Sequence, residues 1–382
     1  NKDSFIGIKV NVGTPPQEVE LLLDTGSSSS WVVSSDNPYC SDPIATADCE
    51  QFGTFDKDLS NTYNSNDTKF QVNYSDYTFA IGEWGTDTFK LGDYELKNYS
   101  FGLATAANAE SGVLGLGFED AENTNRGNAD PERNYTYSNF PSRLKEDGYI
   151  KKKAFSLFLD SYNSTTGSIL FGGIDHAKYS GSLVTLPIVD PYEEYGVNFT
   201  YFAVTVSGVG TDVNGNETTF SSNKYPAFID AGTTLTYLPS RFIDDLADSF
   251  NATYSYIYGA YVMTCPSLEE SLSQFLVIDL SGHKIRVPLY QLIRYKNSYS
   301  RCALGIYDSF DGTITLGASF LRSAYTVFDL EDREVSFAQA KYTSDENIEV
   351  IESTIPSATK APDYSSTWCT YEYATTTENI FS

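Results

Sequence analysis

Leu21–Val32 reads LLLDTGSSSSWV, and Ala227–Pro239 reads AFIDAGTTLTYLP. Both run apolar, apolar, Asp, small residue, Gly, then two hydroxyl residues, with Asp24 and Asp230 separated by 206 of the 382 residues. A second pair of landmarks follows each. Gly115 in GVLGLG (112–117) lies 91 residues after Asp24, and Gly317 in TITLG (313–317) lies 87 after Asp230. One Asp-x-Gly turn is ordinary, but two matched landmarks at matched spacing indicate a duplicated half. Around them, short β-branched and aromatic runs such as Phe5–Val12, Val19–Leu23, Ser168–Phe171 and Tyr201–Val206 alternate with Gly, Asn, Asp and Ser clusters. That pattern predicts an all-β protein. Helical periodicity is confined to Ser240–Phe250, with Phe242, Ile243, Leu246 and Phe250 on one face, and to Pro141–Glu146.

The chemistry expected of such turns follows from their parts. An apolar strand fixes the backbone, and the Gly permits a tight turn and close approach by another segment. Gly26 and Gly232 supply that freedom, while Ser27 and Thr233, three positions past each Asp, can donate to its carboxylate. Two halves related by approximate two-fold symmetry would bring Asp24 and Asp230 face to face. Such a pair shares one proton and titrates as a unit. One member then serves as general base on a water while the protonated one polarises a carbonyl.

Composition narrows the partners. The formal charge is −26, from 51 acidic and 25 basic side chains, which disfavours nucleic acid and anionic membrane surfaces. Two histidines, His176 and His283, make a multi-histidine metal site improbable, and no cofactor is implied. GVLGLG resembles a nucleotide-binding turn, but no helix or βαβ unit follows it. Cys40 and Cys49 lie close together, Cys265 and Cys302 are 37 apart, and Cys369 is left over. Two local bridges and eight Asn-x-Ser/Thr sites, at Asn66, Asn73, Asn98, Asn134, Asn163, Asn198, Asn216 and Asn251, suit a protein of the secretory route. The sequence has no apolar run of spanning length. It opens on Asn1, as expected of a mature form trimmed from a precursor.

Residues 1 to about 340 resemble the pepsin-like aspartic proteases. The two Asp loops match that family's active-site loops, and GVLGLG and ITLGASFLRSAYTVFDLE (314–331) match the elements bracing them. VNYSDYTFAIGEWG (72–85) is similar to the hairpin flap that covers bound peptide, with Tyr74 expected to hydrogen-bond toward Trp31. SLFLDSYNSTTGSILFGGID (156–175) is similar to the segment joining the lobes. NPYC (37–40), FDK (55–57), the stretch from Ala154 to Pro187, FAQAKY (337–342) and STIPSATKAPDYSSTW (353–368) resemble the yapsins, fungal surface aspartic proteases. The resemblance implies a bilobal fold of two pseudo-symmetric β-rich lobes, an interlobe sheet and a flap. It also implies a monomer that cleaves protein or propeptide beside Lys or Arg, binds pepstatin-type inhibitors and carries a GPI anchor. The expected division is an N-terminal lobe over 1–172, a C-terminal lobe over 173–345 and a Ser/Thr-rich, stalk-like tail over 346–382.

Two positions depart from the family pattern. Ala231 stands where a Thr or Ser is usual, so half of the reciprocal grip expected between Thr25 and its counterpart is missing, at about 1–2 kcal/mol if a partner is left bare. Ala318 replaces the usual Asp of LGD, and together the two alanines are expected to alter the acid limb of the pH–rate profile. A non-catalytic peptide-binding protein of the same fold is the alternative that Ala231 raises. Specificity for a basic residue needs a carboxylate in an apolar pocket. Asp76 at the flap tip is the first candidate and the loop Glu119, Asp120, Glu122 the second, with Tyr201 of the second lobe as an aromatic wall.

Overall fold

A computed structural model describes residues 6–40, 49–74, 76–124, 135–161, 164, 166–192, 200–295, 301–309, 312–364 and 377–382. Cys369, Asn134, Asn163 and Asn198 lie outside the described residues. The chain divides into two compact units, residues 1–151 with 198–201, and residues 152–197 with 202–382.

The first unit is built on one seven-stranded sheet. Its strands are β1 (Gly7–Val12), β2 (Gln17–Asp24), β3 (Trp31–Val33), β4 (Asn64–Asn73), β5 (Phe79–Leu91), β6 (Tyr94–Ala107) and β7 (Gly112–Gly115), in the order β1-β2-β7-β3-β6-β5-β4. Alternation in β2 sends Val19, Leu21 and Leu23 inward. The core gathers Trp31, Val33, Phe70, Trp84, Ala104 and Val113, with the Phe70 and Trp84 rings edge to face at 5.2 Å. Cys40 and Cys49 are bridged, with Cα atoms 5.3 Å apart. The helix Phe140–Glu146 begins at Asn139, whose side chain accepts from Ser142 N, and buries Phe140 and Leu144.

In the second unit a five-stranded sheet repeats the arrangement around β7, in the order Ala203–Val206, Tyr225–Ile229, Ile314–Leu316, Thr236–Leu238, Ile306–Asp308. A six-stranded sheet runs Ala358–Lys360, Tyr179–Pro187, Glu334–Ala340, Ala324–Asp329, Ala154–Leu159, Gly167–Phe171. Cys265 and Cys302 are bridged, with Cα atoms 4.9 Å apart. Helix Ile243–Ser249, with the 3-10 turn before it, buries Phe242, Ile243 and Leu246, and Phe250 follows them into the core.

Two boundaries fall elsewhere than the sequence pattern placed them. Residues 152–172 group with the second unit, because Ala154–Leu159 pairs with Ala324–Asp329 across the sheet. Every strand of the six-stranded sheet therefore belongs to that unit. The segment after residue 345 is not stalk-like where it is described. Ile348–Val350 pairs with Gly173–Asp175, and Ala358–Lys360 pairs in parallel with Leu183–Thr185. Ile351 is wholly buried, Ile355 joins the same cluster as Phe158 and Tyr325, and Ile380 N donates to Thr219 Oγ1 at 3.2 Å.

Candidate active site

Asp24 ends β2, which runs parallel to β7 with Leu23 opposite Leu114 and Asp24 opposite Gly115. The chain then turns beneath β7. Leu116 N donates to Asp24 O at 2.8 Å and Gly117 N to Ser27 O at 2.9 Å. A methyl group on Gly115 would lie 2.5 Å from the Ser28 carbonyl carbon, so only glycine allows this crossing. The carboxylate is held from both sides. Gly26 N donates to Oδ1 at 2.8 Å, and the Ser27 hydroxyl makes a short hydrogen bond to Oδ2.

Asp230 follows the strand Tyr225–Ile229 in the same way. That strand pairs in parallel with Ile314–Leu316, and Asp230 N donates to Leu316 O at 3.2 Å. Ala318 N donates to Thr233 O at 2.8 Å, and a methyl on Gly317 would meet Leu235 O at 2.2 Å. Gly232 N donates to Oδ1 of Asp230 at 2.9 Å and Thr233 Oγ1 to Oδ2 at 2.5 Å. The two aspartates therefore sit in equivalent cradles, each with one backbone and one hydroxyl donor.

The sequence profile of the eukaryotic aspartyl proteases matches residues 6–340. The chain belongs to that family. The aspartyl protease is 43% identical to aspartic proteinase yapsin-3 and 40% identical to aspartic proteinase MKC7, both of Saccharomyces cerevisiae, over its whole length and 75% and 74% of theirs. Secreted aspartic protease 9 of Candida albicans is 39% identical over 78% of the chain and 54% of that relative. The chain is an aspartic endopeptidase similar to the yapsins.

The aspartyl protease carries a cavity of about 170 Å³ in its first unit, lined by Ser27, Trp31, Phe70, Tyr74, Glu122 and Tyr201 among others. Strands β4 and β5 form the hairpin over it, closed by Tyr74 N to Thr78 O at 2.8 Å. Trp31 Nε1 donates to Tyr74 OH at 2.8 Å. Burial, then the charge of Asp24, pushes the Tyr74 hydroxyl well above its usual range, so it stays protonated.

The acidic candidates for specificity separate in this geometry. Asp76 is exposed at the hairpin tip, its Oδ1 accepting from Thr78 N at 2.9 Å and Thr78 Oγ1 at 2.6 Å. Asp120 accepts from Thr200 N and Thr200 Oγ1, at 3.1 and 2.6 Å, and Glu119 opens the 3-10 turn Glu119–Ala121. Glu122 alone of the four lines the cavity. It is 2% exposed; Oε2 accepts from Tyr137 N at 2.9 Å, and Oε1 has no partner among the described residues. Burial, with Glu119 and Asp120 nearby, pushes its carboxyl up to about 9 against the Tyr137 bond.

Sequence reasoning missed the roles of Ser29 and Ser30. Ser29 Oγ accepts from Asn123 N at 2.9 Å, and Ser30 Oγ bonds Tyr99 OH at 3.0 Å. The available signal was the setting of the serines. A polar run between LLL and WVV must be buried, and buried hydroxyls are bonded.

Proposed function

We propose that Asp24 and Asp230 act as one catalytic pair that hydrolyses peptide bonds with a water. The ionised member takes a proton from the water, whose oxygen attacks the peptide carbonyl, while the protonated member gives its proton to the carbonyl oxygen. The tetrahedral intermediate then collapses as the amine leaves with a proton. The observation carrying this reading is the equivalence of the two carboxylate cradles, which duplicated loops would lack if only one aspartate worked. Pepstatin-type inhibitors would occupy the same groups.

We further propose a preference for Lys or Arg beside the cut bond, with Glu122 as its determinant. A neutral carboxyl in an apolar wall, with one oxygen bare, gains a partner when an ammonium or guanidinium enters, and ionises against it. Cleavage products from a peptide library, measured by mass spectrometry with and without pepstatin, test both statements. Pepstatin-sensitive cuts beside Lys and Arg are expected, and in Glu122→Gln the Lys-to-Phe preference falls. An equal loss on both substrates would remove Glu122 from the specificity role.

Secretion is proposed on two grounds. The relative from Candida albicans is named as secreted, and all five described glycosylation sites, Asn66, Asn73, Asn98, Asn216 and Asn251, are exposed. Attachment to the cell surface by a GPI anchor on the full-length protein is part of the same proposal. Release from intact cells by a phosphatidylinositol-specific phospholipase checks it.

A further inference from the structure

The second unit exposes an aromatic hairpin that the catalytic loops do not use. Strands Thr253–Ser255 and Ala260–Thr264 pair with Tyr254 opposite Tyr261, and Gly259, at φ +58°, closes the turn between them. Tyr256 and Ile257 at its tip are 93% and 91% exposed. The Tyr254 ring packs edge-on against Tyr256 at 5.1 Å and Tyr261 at 5.2 Å, so the rings form a preassembled outward surface. An apolar cluster this open points to a partner.

Charge identifies the partner's chemistry. The Tyr261 hydroxyl donates to Asp244 of the helix Ile243–Ser249, on which Asp245 and Asp248 are also exposed. Asp308 acts on the same hydroxyl. Helix Ile243–Ser249 packs against Thr253–Ser255, and the base on the strand pairing with Ala260–Thr264, Arg301, stands opposite Thr264 at the end away from the tip. Tyrosine faces backed by carboxylates attract ammonium and guanidinium groups and repel phosphates and anionic lipid. The surface is also tied to the catalytic machinery of its own unit. Tyr237, on the strand leaving the Asp230 loop, lies 6.1 Å ring to ring from Tyr307, which packs on Ala260, Val262 and Ala303 of the hairpin sheet.

We propose that this hairpin is a docking surface for a Lys/Arg-rich segment of the protein substrate, lying outside the residues that are cut. The proposal rests on the reading of the chain as an endopeptidase but not on the Glu122 pocket. Three substrates test it: a protein with a basic segment apart from its cleaved stretch, the same protein with that segment changed to Gln and Ser, and a short peptide holding the cleaved stretch alone. The wild type is expected to favour the first over the second by about fivefold in kcat/KM, through KM. Tyr256→Ala with Ile257→Ser abolishes that preference and leaves the short peptide and the melting temperature unchanged, since both side chains are exposed. A double variant that keeps the preference, or that loses peptide hydrolysis equally, overturns the proposal. Binding of hexalysine to a protein carrying Asp24→Asn and Glu122→Gln, lost when Tyr256→Ala and Ile257→Ser are added, probes the surface even where no bond is cut and the Glu122 pocket is disabled. Loss of binding to a neutral glucan or to neutral vesicles, with hexalysine binding intact, would assign the hairpin to another ligand and overturn it.

Discussion

The two aspartate loops share a backbone and differ in what they carry. Asp24 and Asp230 receive the same pair of donors, and Gly115 and Gly317 allow the same crossing. Five to seven residues past each Asp they diverge. In the first loop Ser29 and Ser30 bond inward to Asn123 and Tyr99, and Trp31 holds Tyr74 of the flap hairpin. In the second, Thr236 Oγ1 bonds Ser319 Oγ at 2.8 Å and Tyr237 turns to Tyr307. The parallel strand pair and its glycine therefore fix a carboxylate, while the residues just beyond decide what that carboxylate serves. Pocket and flap belong to one unit, and the aromatic hairpin to the other.

The largest expected effect tests the equivalence itself. Asp24→Asn and Asp230→Asn should each lower kcat by at least ~1000-fold, and the double variant should be little worse than either, because groups acting as a unit are not additive. A single variant retaining a tenth of the activity would show that the loops are twins in form only. Next in size come Gly115→Ala and Gly317→Ala, whose added methyls meet backbone at 2.5 and 2.2 Å. Each should cost about 3 kcal/mol, read as a lower melting temperature. Gly173→Ala supplies a control without a clash, since its added methyl meets nothing closer than 3.5 Å.

A pH-dependent effect sharpens the asymmetry, because Glu122 lines the cavity of the first unit. In the fold Glu122 keeps its proton to about pH 9, whereas an unconstrained glutamate loses it near 4.5. The folded state thus binds the extra proton across that window, and its stability falls as pH rises through it, by at most about 1.4 kcal/mol per pH unit. Glu122→Gln removes that slope. Wild type and variant should melt alike near pH 4 and diverge progressively toward pH 9, with the variant higher. Parallel melting curves at every pH would show that Glu122 is ionised in the fold.

What could be read from sequence alone tracks how local the cause is. The Asp-x-Gly turns, both short helices and the two disulfides declare themselves through spacing within a few dozen residues. The tail does not. STIPSATKAPDYSSTW has the composition of a solvated linker, yet Ile355 packs with Phe158 and Tyr325, partners that no local pattern names. Asp76 occupies the expected flap tip, but the two hydroxyl and amide donors of Thr78 turn its carboxylate back on the turn. Glu122 was one acid among 51 in the sequence. Its burial comes from the fold around it, where Trp31 and Tyr201, distant in sequence, line the same cavity.

The mildest prediction concerns the link between loop and flap. Tyr74→Phe keeps the ring and removes the acceptor of Trp31 Nε1, whose residue is 1% exposed. A buried N–H without a partner costs about 1–2 kcal/mol. Most of that cost should fall on the closed position of the hairpin, since Tyr74 sits at its tip and Trp31 in the sheet. KM for peptide should therefore rise several-fold with a melting temperature lowered by only a few degrees. If instead kcat falls and KM holds, the hydroxyl acts on the reacting groups near Asp24, whose charge it already feels. The first loop would then contribute to the chemistry through its flap as well as through its aspartate, and the division of labour between the units would be deeper than the shared cradle suggests.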